Sequence, residues 1–344
     1  MRPILMTLFT LLFACQNTSE PSEKETTNTP KHKTIGSIEL LDDRLNELIA
    51  PDAKIEILAE GFNWSEGPVW VEEIESLLFS DVPENKIWRW SETDSLRLYI
   101  EPSGRTGALR ENDKESGSNG LILNDKGKLV VCQHGDRRVA KLTASFDDPS
   151  ASFETLADDF EGRKFNSPND LVFDGGGNCY FTDPPYGLPL KMDDPTKEIE
   201  FQGVYRINTD SSVDLLTDEL TRPNGIELSN DEKTLYVANS DPDRAIWTAF
   251  DLQEDGTLAN ARIFYDATNL VGDENEKGLP DGLVVADNNV IYATGPGGVW
   301  IFDEMGKALG KIRTTVPTAN CTIDPKRNVL YITADMYLLR VLLR

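Results

Sequence analysis

The sequence predicts an all-β fold, a six-bladed β-propeller preceded by one short helix. A unit made of a short apolar run, a turn of Asp, Asn or Gly, and a second apolar run recurs six times. Helical periodicity, in contrast, is almost confined to one segment near the N-terminus. Repeats of this length built from short strands are typical of propeller blades. A large β-sandwich is the alternative fold, but it gives no reason for a sixfold repeat.

The first 36 residues are predicted to lie outside the folded domain. Arg2 precedes an apolar run over 4–14 that is too short to span a bilayer, and Cys15 follows it. Because small residues before a cysteine are typical of bacterial lipoproteins, we predict a signal peptide over 1–14 and a lipidated Cys15. A plain secretory signal is the alternative. Residues 15–36 are rich in Ser, Thr, Glu and Lys and indicate a flexible tether. We therefore expect the protein to be lipid-anchored in a bacterial cell envelope, on its periplasmic side.

The folded domain is predicted to span 37–344. Its first element is a helix over Ser37–Ile49, where apolar residues recur at helical spacing and Pro51 follows. The last repeat is one strand short, so we expect residues 54–58 to complete it and close the ring, since open edge strands would otherwise remain. The six repeats cover 66–81, 119–135, 169–183, 224–241, 281–295 and 320–335.

The composition argues against nucleic acid as a partner. The chain has 34 Lys and Arg against 59 Asp and Glu, a net charge of −25, whereas nucleic-acid binding depends on basic patches. The simplest explanation of the acidic composition is a well-solvated surface. The alternative, attraction of cations, requires specific carboxylates to bind them. The cysteines after the signal, Cys132, Cys179 and Cys321, form no CxxC motif and are expected to be buried.

The residue that opens each repeat carries a side-chain oxygen in all six cases. The first strand of a propeller blade lines the central channel, so these residues should converge at one channel mouth. Carboxylates mixed with amides suit Ca²⁺, whereas zinc or copper would favour His or Cys. The alternative is ordinary turn formation by Asn and Asp. The six residues are Glu66, Asn119, Asn169, Asn224, Asp281 and Asn320.

Nucleophilic catalysis by a Ser-His-Asp triad has little support in the sequence. The chain has two histidines, and His32 lies in the predicted tether. A triad could therefore form only through His134, and no nucleophile-elbow glycine pattern places a serine for it.

Several motifs within the repeats are similar to those of one known family. They are EGPVW (66–70), NSPNDLVF (166–173), YFTDPPYGL (180–188), RPNGI (222–226) and PDGL (280–283). Through these motifs the sequence resembles the gluconolactonase/regucalcin (senescence marker protein) family of six-bladed propeller lactonases, and bacterial gluconolactonases in particular. The resemblance runs from about Ile55 to Arg344.

The resemblance implies a divalent metal site and a set of site residues. Calcium is the expected ion, with Mg²⁺, Mn²⁺ or Zn²⁺ as alternatives. The regucalcin branch has an arginine two residues before the asparagine that matches Asn169, where this chain has Ser167, so the sugar contacts do not carry over. The implied metal ligands are Glu66, Asn169, Asn224 and Asp281, and Asp281 is also the implied proton donor or acceptor. For substrate binding we expect Asn119, Asn169, His134 and Tyr186.

These expectations combine into a metal-dependent hydrolase that opens a sugar lactone. The metal would act as a Lewis acid, and Asp281 would serve as general base and then acid, with direct nucleophilic attack by Asp281 as a variant. Two other functions stay open at this point. One is hydrolysis of a different ester, including phosphotriesters, and the other is a non-catalytic interaction propeller in which Ca²⁺ only braces the channel.

Overall fold

The structure, a computed structural model, describes residues 32–108, 112 and 114–344. The predicted signal peptide (1–14) and residues 15–31 of the predicted tether lie outside the described residues. The described part contains 28 strands and one short α-helix, which confirms the all-β prediction. In this part, no helix is long and apolar enough to cross a membrane.

The N-terminal elements add strands to the last two blades. They are β1 (Thr34–Ile35), β2 (Ser37–Leu40), α1 (Leu45–Leu48) and β3 (Ile55–Glu60). The helix predicted over Ser37–Ile49 is therefore confined to four residues, because the backbone of β2 instead pairs with the outer strand of blade five. The tether predicted over 15–36 also ends earlier than expected, since β1 pairs with β3.

Six antiparallel blades follow one another along the chain, and each begins with its innermost strand. Blade one contains β4 (Ser65–Val71), β5 (Ser76–Asp81), β6 (Lys86–Ser91) and β7 (Ser95–Ile100). Blade two contains β8 (Ser118–Leu123), β9 (Leu129–Gln133), β10 (Arg138–Leu142) and β11 (Phe153–Ala157), and is followed by a small hairpin of β12 (Asp159–Phe160) and β13 (Arg163–Lys164). Blade three contains β14 (Leu171–Phe173), β15 (Cys179–Asp183), β16 (Gly203–Ile207) and β17 (Val213–Thr217).

The other three blades follow the same plan. Blade four contains β18 (Pro223–Leu228), β19 (Thr234–Asp241), β20 (Arg244–Leu252) and β21 (Leu258–Asp266). Blade five contains β22 (Leu283–Val285), β23 (Ile291–Gly295), β24 (Gly298–Phe302) and β25 (Ala308–Arg313), with β2 as its fifth strand. Blade six contains β26 (Asn320–Asp324), β27 (Val329–Ala334) and β28 (Tyr337–Leu342), completed by β3 and β1.

The ring closes through hydrogen bonds between the two ends of the folded chain. Strand β3 pairs antiparallel with β28, from Tyr337 opposite Glu60 to Arg340 opposite Glu56. The Arg340 Nε also donates to the Glu56 carboxylate at 2.6 Å. This pairing confirms the expectation that residues near 54–58 complete the last blade, and it leaves no open edge on β28.

Apolar side chains fill the space between neighbouring blades. Leu78 of blade one and Val131 of blade two belong to one fully buried cluster, and Trp247 of blade four packs edge to face against Phe302 of blade five at 5.5 Å. Each such side chain contributes about 1.5–3 kcal/mol through its burial. The three cysteines are buried and unpaired as expected. This packing holds the inner strands, and therefore the residues at their first positions, in fixed relation to one another.

Candidate functional site

The inner strands bring five of the six predicted opening residues to one cavity at the channel mouth. The cavity has a volume of about 540 Å³ and also contains Tyr186 in its wall. The sixth opening residue, Asn320, is not part of the cavity wall. The five residues are Glu66, Asn119, Asn169, Asn224 and Asp281.

The end of the second strand fixes the backbone just before the opening residue in three blades. The Asp183 carboxylate accepts hydrogen bonds from the N–H groups of Asn166 (2.7 Å) and Ser167 (2.8 Å), immediately before Asn169. This explains why an aspartate ends β15. The corresponding bonds run from the Trp64 N–H to Asp81 (3.2 Å) in blade one and from the Arg222 N–H to Asn239 (2.8 Å) in blade four.

Hydroxyl groups on the second strands set the spacing between adjacent blades. Each donates a hydrogen bond to a backbone carbonyl of the next blade, at or just before its opening residue. Because these hydroxyls are buried, each bond satisfies a carbonyl that water does not reach. The bonds join Ser80 to Asn119 (2.9 Å), Thr182 to Asn224 (2.6 Å), Ser240 to Pro280 (2.5 Å) and Thr294 to Ala319 (2.8 Å).

The residue after the opening residue is glycine in four blades because the inner strands approach closely there. Gly67 has a φ of +46°, and a Cβ at this position would lie 2.1 Å from the carbonyl oxygen of Asn119. A Cβ on Gly225 would lie 2.2 Å from the Asp281 carbonyl oxygen. Glycine is therefore required where the blades converge.

Blade three has an aspartate at the position of these glycines, and its side chain reaches across the channel. Asn320 Nδ2 of blade six donates to Asp170 Oδ2 of blade three at 3.2 Å. These blades are opposite each other in a ring of six, so the bond crosses the channel. Burial raises the pKa of Asp170 to about 6. Burial likewise raises the pKa of Glu227, on the inner strand of blade four, to about 8.

Glu66 and Asp281 form a pair of like charges in the cavity. Glu66 is 3% exposed, and its carboxylate accepts hydrogen bonds from Trp64 Nε1 (3.2 Å) and the Gly67 N–H (3.1 Å). Burial nevertheless raises the pKa of Glu66 to about 8. Burial, followed by the charge of Glu66, raises the pKa of Asp281 well above its usual range, and the Asn224 amide offsets only part of this. A cation between the two carboxylates would relieve both effects.

The remaining donors fit a hard divalent cation. The Asn119 side-chain oxygen is buried and has no hydrogen-bond partner. Asn224 Nδ2 donates to Ser240 Oγ at 3.2 Å, which leaves the amide oxygen available as a ligand. Among the described residues, no three His, Cys, Asp or Glu side chains are grouped to hold a metal. Two carboxylates supplemented by amide oxygens match the preference of Ca²⁺ for mixed oxygen ligands.

His134 and Tyr186, which were also expected to bind substrate, have different positions. Tyr186 is in the cavity wall, and its pKa is raised by burial and by the charge of Asp281, whereas Arg222 lowers it. His134 is 1% exposed, does not line the cavity, and neither of its ring nitrogens has a hydrogen-bond partner. Burial lowers the pKa of His134 to about 4, which keeps the ring neutral at neutral pH. The structure therefore brings Tyr186, but not His134, to the other predicted site residues.

Several residues of the cavity wall were not predicted from the sequence. Trp64 and Arg222 each precede an opening residue by two positions, a spacing that the repeat alignment could have revealed. Lys114, Glu115 and Lys191 come from long loops without repeat register, where the sequence offers no signal. Lys191 Nζ lies 3.5 Å from the Glu115 carboxylate and 5.6 Å from the centre of the Tyr186 ring.

The fold and the cavity together define a six-bladed β-propeller with an acid- and amide-lined cavity at one mouth of its channel. The family described as SMP-30/Gluconolactonase/LRE-like region matches residues 64–335. The chain belongs to this family.

Individual relatives agree with this assignment. The gluconolactonase of Zymomonas mobilis is 36% identical over 320 residues, covering 91% of this chain and 88% of the relative. The structure of a gluconolactonase from Xanthomonas campestris superimposes with a TM-score of 0.76 at 28% identity, covering 92% of this chain and 99% of that one. A regucalcin from Agrobacterium tumefaciens, described as a calcium-binding protein, shares the fold at 16% identity with a TM-score of 0.61, covering 83% and 95% of the two chains.

Proposed function

We propose that the protein is a metal-dependent sugar lactonase whose reaction takes place in the channel-mouth cavity. Membership of the family and similarity to gluconolactonases make the chain a lactone-hydrolysing hydrolase. The observation that carries the finer proposal is the pairing of two carboxylates in the cavity wall, the buried Glu66 and the half-buried Asp281, together with amide oxygens. A divalent cation would neutralise both carboxylates.

A divalent cation would be held by Glu66, Asn169, Asn224 and Asp281. Oxygen donors alone favour Ca²⁺, with Mg²⁺, Mn²⁺ and Zn²⁺ as alternatives. When bound, the cation would supply Lewis-acid polarisation of the lactone carbonyl. The calcium-binding relative with this fold supports the choice of Ca²⁺.

In this proposal Asp281 moves the proton. Its carboxylate would accept a proton from the attacking water and return it to the ring oxygen that leaves. Asn119, Asn169 and Tyr186 would orient the sugar through its hydroxyl groups, while His134 is left out because it does not line the cavity. A single turnover in H₂¹⁸O separates this role from nucleophilic attack by Asp281, because only nucleophilic attack transfers ¹⁸O into the protein.

The proposal is tested by acid release from D-glucono-1,5-lactone with metal-stripped protein, adding Ca²⁺, Mg²⁺, Mn²⁺ or Zn²⁺ one at a time. We expect turnover to return with a metal, to be abolished in Asp281→Asn, and to be unaffected in Asp231→Asn, an exposed aspartate outside the cavity. Turnover that is independent of metal and of Asp281 would refute the mechanism. Turnover of another ester but of no lactone would favour a different hydrolase, and metal binding without any turnover would favour an interaction propeller.

We also propose that the protein is anchored by lipid at Cys15 in the bacterial envelope, on its periplasmic side. The support is the apolar run over 4–14 followed by cysteine, which lies outside the described residues. Metabolic labelling with a palmitate analogue should mark the full chain and not the Cys15→Ser variant, which should also leave the membrane fraction. Labelling of both forms would contradict the anchor.

A further inference from the structure

The charge around the cavity differs from that of the molecule as a whole. Three acidic residues, Glu66, Glu115 and Asp281, and three cationic residues, Lys114, Lys191 and Arg222, line the cavity. These charges cancel, and Asp170, close enough to act on Glu66 and Asp281, adds one negative charge when it is ionised. A divalent cation at the proposed site would therefore leave at least one positive charge. The whole chain, in contrast, has a net charge of −25. A positive cavity in an acidic protein indicates that the site meets an anionic group.

Arg222 is available to such a group. Lys191 is paired with Glu115 at 3.5 Å, whereas no ion pair or side-chain hydrogen bond joins Arg222 to another described residue. Its charge acts on the titration of Tyr186 and Asp241 without a direct contact. An unpaired guanidinium in the cavity wall can form two parallel hydrogen bonds to a carboxylate or phosphate.

The backbone holds Arg222 where its side chain can reach the ligand. Its N–H donates to the Asn239 side-chain oxygen at 2.8 Å, and its carbonyl accepts from the Ser240 N–H at 2.9 Å. Trp64 occupies the same position in blade one, two residues before the opening residue, and its side chain reaches Glu66 at 3.2 Å. A side chain at this position therefore extends toward the ring of predicted metal ligands.

We propose that Arg222 is a specificity-determining residue that selects lactones carrying a second acidic group, a carboxylate or a phosphate, at the end remote from the reacting carbonyl. This inference rests on the proposed lactonase function. Lys114, the other cavity cation without an ion pair among the described residues, would add attraction at longer range. Because the contact is electrostatic, the preference should weaken as salt is added.

The test uses two pairs of lactones. The two members of each pair have the same ring size and differ in charge. One pair is 6-phospho-D-glucono-1,5-lactone and D-glucono-1,5-lactone, and the other is D-glucaro-1,4-lactone and D-glucono-1,4-lactone. We expect the native protein to have a higher kcat/KM for the charged member of at least one pair. The pair that shows this preference identifies whether the cavity recognises a phosphate or a carboxylate. Arg222→Gln should lower this preference about 10-fold or more, mainly through KM, and Arg222→Lys should lower it less.

Arg97→Gln is the matched control, because it removes the same charge from an exposed position on the outer strand of blade one. We expect it to keep the native preference. A native preference for the neutral member of both pairs, or an equal loss on charged and neutral lactones in Arg222→Gln, would overturn the inference and leave the lactonase proposal intact. Failure of the metal-loaded native protein to hydrolyse any of the four lactones would overturn both.

Discussion

Replacing Thr182 by valine tests whether hydroxyl groups on the second strands hold the site together. Thr182 is fully buried, its Oγ1 donates to the Asn224 carbonyl at 2.6 Å, and the same oxygen accepts the Asp170 N–H at 3.3 Å. Valine keeps the shape but leaves a buried carbonyl and a buried N–H without this partner. At about 1–3 kcal/mol for each of these two groups, we expect Thr182→Val to lower the free energy of unfolding by roughly 2–6 kcal/mol.

Thr248→Val provides the matched control. Thr248 is also buried, at 4% exposure, but its hydroxyl has no hydrogen-bond partner. The same substitution there removes a polar group that is already unsatisfied, so it should leave stability unchanged or raise it by up to about 1 kcal/mol. Both variants are compared with the native protein by urea unfolding without metal. Equal destabilisation by the two substitutions would refute the account of the hydroxyl contacts.

Three further predictions follow from other features. The metal-free protein should lose stability as pH rises from about 4 to 8. Burial raises the folded-state pKa values of Glu66, Asp170 and Asp183 to about 8, 6 and 7, so the folded protein binds these protons more tightly than the unfolded chain and loses that advantage as they dissociate. The melting temperature should fall over this range, and a flat or rising profile would contradict the prediction. Gly67→Ala should destabilise the protein by several kcal/mol, because the new Cβ would meet the Asn119 carbonyl. Gly127 also has a positive φ but has open space around it, so Gly127→Ala should cost only about 1 kcal/mol. Similar urea midpoints for the two variants would count against the close approach at Gly67. Ile57→Pro should lower the free energy of unfolding by about 3 kcal/mol or more. It removes the N–H that donates to the Lys33 carbonyl and strains β3, the strand that closes the ring. An unchanged melting temperature would show that β3 is not needed to close the ring.

The fold and the ring of opening residues could be predicted because a propeller repeats one local pattern. The register of that pattern fixes which residue begins each inner strand, so six residues far apart in sequence were predicted to converge at one channel mouth, and five of them line one cavity. Ring closure by β3 could also be anticipated, since the last repeat lacked a strand. The same reasoning predicted a helix that is too long. The apolar spacing over Ser37–Ile49 is helical, but it contains no information on the open strand edge of blade five, with which β2 pairs instead.

The parts of the site that could not be predicted depend on contacts outside the repeat. The Asp170 side chain bonds Asn320 on the opposite blade, a contact between residues 150 positions apart. Lys191 and Glu115 meet through two loops whose lengths differ from blade to blade. His134 was expected to bind substrate, but the loop that contains Gly187 packs against it and helps to bury it, and a Cβ on Gly187 would lie 2.5 Å from the His134 Cβ.

The hydrogen bond between Asp170 and Asn320 also bears on how molecules enter and leave. It joins the inner strands of two opposite blades, next to the glycines at which neighbouring inner strands approach closely. A side-chain bridge across the channel narrows it, so we expect a lactone and the acid formed from it to exchange through the same opening of the cavity. If the reaction takes place there, each departing acid would carry a new carboxylate past Lys114, Lys191 and Arg222. At high product concentration, exchange of substrate and product through this single opening would then limit turnover.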